Sequence, residues 1–243
     1  MEISAEKTSL ITNNYSSINK EIKVNGQKLE TVTSFKYLGS VITDEGSKPE
    51  ILSRIAQATA ALERLNPVWI DKSISLSSKI RLMRSLVTSI FLYVCELWTL
   101  TAELQRMQAM EMSCYRKILH ISYKDHVTNK EVLAKIQQAI GPGEDLTIVK
   151  RRKLQWYGHI SRSSGLAKTI LQGTVKEGRR QGGQKKSWED NIWEWTALEF
   201  GKSQRAVENR EKWRKLVAKS SVMPQRHSRF KGLMMMTMTV IGQ

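Results

Sequence analysis

Residues Ser75–Leu92 read SLSSKIRLMRSLVTSIFL, and their spacing decides the fold class. Ile80, Met83, Leu86, Val87, Ile90 and Phe91 recur at the helical period and form one apolar stripe. Working outward from it, more helices follow. One from about Thr101 carries Leu104, Met107, Met110, Met112, Tyr115, Ile118 and Leu119. The next opens with the capping box Thr128–Glu131 and stops at Gly141-Pro142-Gly143. On the other side, Ser47 with Glu50 is a capping box and Pro49 falls in the first turn, where its missing N–H costs nothing. That helix should run to about Leu65 and stop before Asn66-Pro67.

Further upstream the period changes. Asn25-Gly26 is the preferred two-residue hairpin turn, because both positions need positive φ, and Ile22, Val24 and Leu29 flank it at strand spacing. Phe35–Thr43 (FKYLGSVIT) reads as one further strand ending at Asp44-Glu45-Gly46. The expected fold is mainly α with a small antiparallel β element, a helical bundle and then a basic helical module. The corresponding segments are residues 1–46, 47–141 and 142–231, with a tail at 232–243 that has neither caps nor periodicity and is expected to be disordered.

The charge is uneven. The formal net charge is +16, which points first to nucleic acid and second to an anionic membrane surface. Thr147–Lys231 holds 21 Lys or Arg against 7 Asp or Glu, a surplus of 14, so the rest of the chain carries only +2. This segment opens with a helix at about Leu146–Arg162 that turns basic at Lys150, Arg151, Arg152 and Lys153, with Trp156 and Tyr157 one turn on. A Gly- and Lys/Arg-rich stretch, Gly173–Lys186, reads as a solvated loop. Ser187 with Asp190 caps a sixth helix holding Trp188, Ile192, Trp195 and Leu198 and ended by Gly201. A seventh runs from about Ser203 to Lys219 with Val207, Trp213 and Leu216.

Several function classes recede. Cys95 and Cys114 sit in apolar helical sequence and read as reduced core thiols. The start MEISAEKTSL has no secretory pattern, and the longest apolar stretch, Leu86–Tyr93, is too short to span a bilayer. The expectation is an intracellular protein, nuclear or cytoplasmic, with no membrane partner. Cys114, His120 and His126 fit no standard zinc spacing, so no metal site is assigned.

A set of segments resembles the reverse transcriptases of non-LTR (LINE-type) retrotransposons. Lys7-Thr8 within EISAEKTSL resembles the lysine-bearing motif that ends the palm, and Phe35-Lys36-Tyr37-Leu38-Gly39 the primer grip. Leu82–Leu100 resembles the thumb, where a glycine usually precedes the Cys and this chain has Val94. Met110–Leu119, Lys150–Arg162, Gly178–Trp188 and Trp213-Arg214 resemble the C-terminal region, where Ser113 and Ser187 stand in place of frequent arginines. The resemblance implies a thumb-like bundle over 47–141 and a nucleic-acid-binding module after it. It also implies a polymerase site built on Tyr-x-Asp-Asp and an earlier Asp, which hold two Mg²⁺ ions.

That site is missing from this sequence. Asp44, Asp71, Asp125, Asp145 and Asp190 are scattered, and no two are adjacent. The chain is therefore expected not to be an enzyme and to carry no cofactor, Mg²⁺ belonging only to an intact family member. The expected partner is RNA or DNA, held mainly by its backbone; nothing indicates the oligomeric state.

The candidate site residues each have a plainer alternative. Lys7 would act near nucleotide phosphates, or is a surface lysine. Phe35–Gly39 would grip a primer, Gly39 allowing close approach and Tyr37 stacking or bonding to a sugar-phosphate, or is an edge strand. Lys150, Arg151, Arg152 and Lys153 would track phosphates while Trp156 and Tyr157 stack on bases, or the charges are solvated and one aromatic is core. Arg179, Arg180, Lys185 and Lys186 would drape over a backbone, or belong to a linker. Two other readings of the whole stay open: a free-standing DNA-binding protein, and a decayed retroelement reading frame.

Overall fold

Asn25 and Gly26 take φ of 51° and 80°, and they close a hairpin in which β2 (Lys23–Val24) pairs antiparallel with β3 (Gln27–Lys28). This is the turn that the Asn-Gly pair predicts. The computed structural model describes residues 8–11, 22–100, 103–140, 145–172 and 186–222. Within them the chain is mainly helical, with three two-stranded pairs near the N-terminus. One pair departs from expectation: β1 (Ser9–Leu10) and β4 (Glu30–Thr31) run parallel. Lys7 and the tail 232–243 lie outside the described residues.

Phe35–Thr43 is not one strand. It folds back as β5 (Ser34–Tyr37) and β6 (Ser40–Thr43), antiparallel, with Tyr37 opposite Ser40 and Leu38-Gly39 as the turn. Leu38 and Gly39 take φ of 46° and 83°. Glycine enters that region without cost and leucine does not, so the turn needs outside support. Three side chains supply it. Tyr93 Oη donates to the Leu38 carbonyl at 2.7 Å, Arg54 Nη2 to the Gly39 carbonyl at 2.5 Å, and the Val41 N–H donates to Glu50 Oε2 at 2.7 Å.

Glu50 and Arg54 belong to α1 (Lys48–Arg64), where they form a buried ion pair one turn apart at 2.7 Å. The expected Ser47–Glu50 capping box is absent, because both groups are engaged elsewhere. Ser47 Oγ accepts from the Thr99 N–H at 2.9 Å, and the Glu50 carboxylate faces the hairpin and Arg54. α1 does stop ahead of Asn66-Pro67, with Leu65 as its C-cap, and a separate short helix, α2 (Asn66–Ile70), follows with Pro67 in its first turn, where a proline is tolerated.

The stripe in Ser75–Leu92 is a helix with a defect. Ser75 caps α3 (Leu76–Leu82) by accepting from the Ser78 N–H at 3.2 Å. The helix widens into a π-helical stretch, Met83–Thr88, and ends as α4 (Ser89–Phe91). Widening a turn shifts which residues face inward. Ile80, Met83, Val87 and Phe91 are buried, while Leu86, expected on the stripe, is exposed. The segment then reverses at Val94, which takes the left-handed conformation with φ 58° ahead of a 3₁₀ turn at Cys95–Leu97.

The next helix, α5 (Glu103–Ile118), buries Met107, Met110, Met112, Cys114, Tyr115 and Ile118. Thr128 and Glu131 form the predicted reciprocal cap at the start of α6 (Asn129–Ile140). The Thr128 N–H donates to the Glu131 carboxylate at 2.7 Å, and the Glu131 N–H to Thr128 Oγ1 at 3.3 Å. These elements bury Ile51, Leu62, Trp69, Trp98, Leu100 and Val132 almost completely, at roughly 1.5–3 kcal/mol for each large apolar side chain.

The chain divides into two compact units, residues 1–149 and 150–243, the division falling inside α7 (Asp145–Arg162). The second unit continues with α8 (Leu166–Gln172), α9 (Asp190–Thr196), α10 (Phe200–Glu208) and α11 (Arg210–Val222). Gly201 does not end the sixth predicted helix. That helix, α9, stops at Ala197, which takes φ 54°, and Gly201 lies in the first turn of α10. The seventh predicted helix is two, broken at Asn209, whose side chain caps α11 by accepting from the Lys212 N–H at 3.0 Å.

Candidate nucleic-acid interface

The run Lys150-Arg151-Arg152-Lys153 covers about one helical turn, so its four side chains point around the axis and not to one side. Their burial follows. Lys150 and Lys153 turn inward, with 8% and 0% of their surfaces exposed, while Arg152 is exposed and Arg151 half-buried. The two lysines are thereby removed from the surface that was to track phosphates.

Lys153 sits in a polar-aromatic cage. Its Nζ donates to Asn191 Oδ1 at 2.8 Å and lies 4.4 Å from the Trp188 ring centre and 5.7 Å from that of Trp195. Burial pushes its pKa down to about 6, Lys186 pushes the same way, and Asp190 opposes both weakly. An amine at that value is neutral at pH 7, which is how a lysine is tolerated in the interior. Lys150 lies 5.7 Å from the Trp195 ring, and burial lowers its pKa as well, against the pull of Glu194.

The aromatic pair is also engaged. Tyr157 is fully buried, its hydroxyl 3.0 Å from Ser203 Oγ, and burial raises its pKa. Trp156 is half-buried and meets Trp188 edge-on at 5.2 Å. Trp213 of α11 is buried against α7: its Nε1 donates to the Leu154 carbonyl at 3.0 Å, and its ring covers Gly158. Ser187 and Asp190 make their reciprocal bonds at 2.6 and 3.3 Å, though a turn at Trp188-Glu189 separates Ser187 from α9. Lys186 pairs with Glu194 at 2.6 Å. Arg179, Arg180 and Lys185 lie outside the described residues.

Of the basic run only Arg152 is fully on the outward surface, and most of the other outward cations are ones that the sequence motifs do not single out. On α7 the exposed face holds Arg152, Gln155 and His159. On α11, opposite the buried Trp213 and Val217, stand Lys212, Lys215 and Lys219, while Arg214 is exposed on the flank beside the buried face. That helix has five Lys or Arg against one carboxylate, Glu211, which pairs with Lys215 at 2.7 Å. Lys212, Arg214 and Lys219 make no ion pair among the described residues. The signal is present in the sequence as cations spaced around an amphipathic helix whose apolar face is Trp213, Leu216 and Val217.

In the first unit, the primer-grip-like residues form the hairpin described above. Phe35 is half-buried, and Lys36, Tyr37, Leu38 and Gly39 are exposed. Gly39 takes the positive φ of the turn, and a Cβ there would meet no protein atom within 4 Å. Among the described residues, no three His, Cys, Asp or Glu side chains gather as metal ligands, and no helix is long and apolar enough to cross a membrane. No family model, curated relative or solved structure matches the chain.

Proposed function

We propose that this chain is a nucleic-acid-binding piece of a non-LTR retrotransposon reverse transcriptase that does not itself polymerise. One observation carries the binding part. The second unit holds most of the chain's positive surplus, and α11 turns Lys212, Arg214, Lys215 and Lys219 outward against a single carboxylate. Such a face attracts phosphates, and each contact releases condensed counterions. The origin rests on the motif resemblance, and the lack of polymerase activity on the five separated aspartates.

The test is a salt titration with the purified chain. Affinity should fall linearly on a log–log scale, and alanine at Arg152 and Lys212 should weaken all sequences alike. Salt-independent binding, or primer extension on an RNA template, contradicts the proposal.

A second reading, a decayed reading frame under no selection, is favoured by Val94. A β-branched residue is held in a left-handed conformation where the resemblance calls for glycine. Absence of any nucleic-acid binding by a folded chain would decide for it.

A further inference from the structure

We infer that the second unit takes double-stranded nucleic acid through its phosphates, without stacking on unpaired bases. The inference rests on the nucleic-acid reading above and narrows it.

Proteins that hold single strands combine a basic groove with exposed aromatic faces on which successive bases stack. Among the described residues of this unit the large aromatics are engaged with each other and with the buried lysine. Tyr157 and Trp213 are core, Trp195 is buried, Trp188 covers Lys153, and Trp156 meets the edge of Trp188. Phe200, the one large aromatic exposed in the described part of the unit, meets Trp193 edge-on at 6.5 Å. Among the described residues the outward faces hold no Phe, Tyr or Trp: Arg152, Gln155 and His159 stand on α7, and Lys212, Lys215 and Lys219 on α11, so the one ring there is the single imidazole of His159.

What remains is a row of cations on a rigid rod. At about 1.5 Å of rise per residue, Lys212 and Lys219 are roughly 10 Å apart along α11. A duplex strand presents a phosphate every 3.4 Å or so along its axis, so the row spans about three phosphates of one strand. A duplex offers this row twice the charge density of a single strand and needs nothing from the bases. The row, Lys212, Lys215 and Lys219, is all lysine, and lysine meets phosphate as a point charge without bidentate base readout. The binding is therefore independent of base sequence.

The experiment uses the full chain and three probes: a labelled DNA duplex, a duplex of unrelated sequence, and one strand alone. Both duplexes should bind with the same affinity and at least about 10-fold tighter than the strand, with a log–log salt slope near −0.9 per phosphate neutralised against about −0.7 for the strand. Alanine at Lys212, Lys215 and Lys219 should flatten the duplex slope by roughly 0.9 for each phosphate that is no longer neutralised. Trp156→Ala, read beside its melting curve, should leave single-strand affinity unchanged. A strand that binds tighter than the duplex overturns the inference and leaves the broader reading standing. So does a fall of about 10-fold or more in strand affinity on Trp156→Ala at an unchanged melting temperature. No binding to any probe, or binding indifferent to salt, defeats the nucleic-acid reading itself.

Discussion

The indole of Trp213 lies against the backbone of Gly158, so close that a Cβ on that glycine would fall 2.3 Å from Nε1 and 2.6 Å from Cδ1. Two helices far apart in sequence meet there, and the Trp213 N–H is satisfied by the Leu154 carbonyl one turn away. Gly158→Ala must displace the ring and break that bond. The gain in helix propensity, about 1 kcal/mol, is smaller than the overpacking and the broken hydrogen bond together. The expected net destabilisation is about 1–3 kcal/mol, read from urea melts of the variant. Trp213→Phe, which keeps an aromatic ring but removes the donor, should cost about 1 kcal/mol for the bond and more for the smaller ring.

Lys153 makes the second unit's stability depend on pH in an unusual direction. Its folded pKa is lowered to about 6 from an ordinary value of 10.5. Between those values the unfolded chain binds a proton that the folded chain does not, so stability rises with pH. Lys150 is shifted the same way by burial. Between pH 7 and pH 9 the second unit should gain roughly 2 kcal/mol, and the gain should end above the unfolded lysine value. Lys153→Met, of similar volume and no charge, should raise stability at pH 7 and remove most of that slope. Melting curves at several pH values check both, and a wild-type stability that falls from pH 7 to pH 9 contradicts the neutral buried amine.

Val94 stores strain. At φ 58° and ψ 22° it holds a conformation that a branched side chain disfavours by about 1–2 kcal/mol, and glycine adopts freely. Val94→Gly gives up some packing of a half-buried turn residue and gains freedom in the unfolded state, so the net stabilisation should be about 1 kcal/mol or less. Val94→Ile should give none. Chemical denaturation of the three forms measures the difference, and a destabilised glycine variant contradicts the strain.

The elements that could be read in advance are those whose partners are close in sequence. Asn25-Gly26 closes its own hairpin, Ser75 caps its own helix, and Thr128 with Glu131 completes a local box. What escaped depends on distant partners. Leu38-Gly39 is a turn because Arg54 and Tyr93 hold its carbonyls, and leucine alone gives no hint of positive φ. Ser47–Glu50 has the pattern of a box, but a buried arginine and a strand N–H compete for the carboxylate. Lys150 and Lys153 read as surface cations because Trp188, Asn191 and Trp195, which close over them, lie nearly forty residues on. Leu86 lies at the margin of its stripe, in a π-helical stretch that no residue type announces, and is exposed.

The central claim is that nucleic acid meets the outward cations of α7 and α11 and not the inward lysines of the basic run. Salt titration of duplex binding measures it on three chains: the wild type, a variant with alanine at Arg152, Lys212, Arg214 and Lys219, and Lys153→Met. The outward variant should bind far more weakly with a slope flattened by up to about 3–4, while Lys153→Met should keep both affinity and slope. Abolished binding on Lys153→Met at an unchanged melting temperature, with the outward variant binding like wild type, would contradict the account.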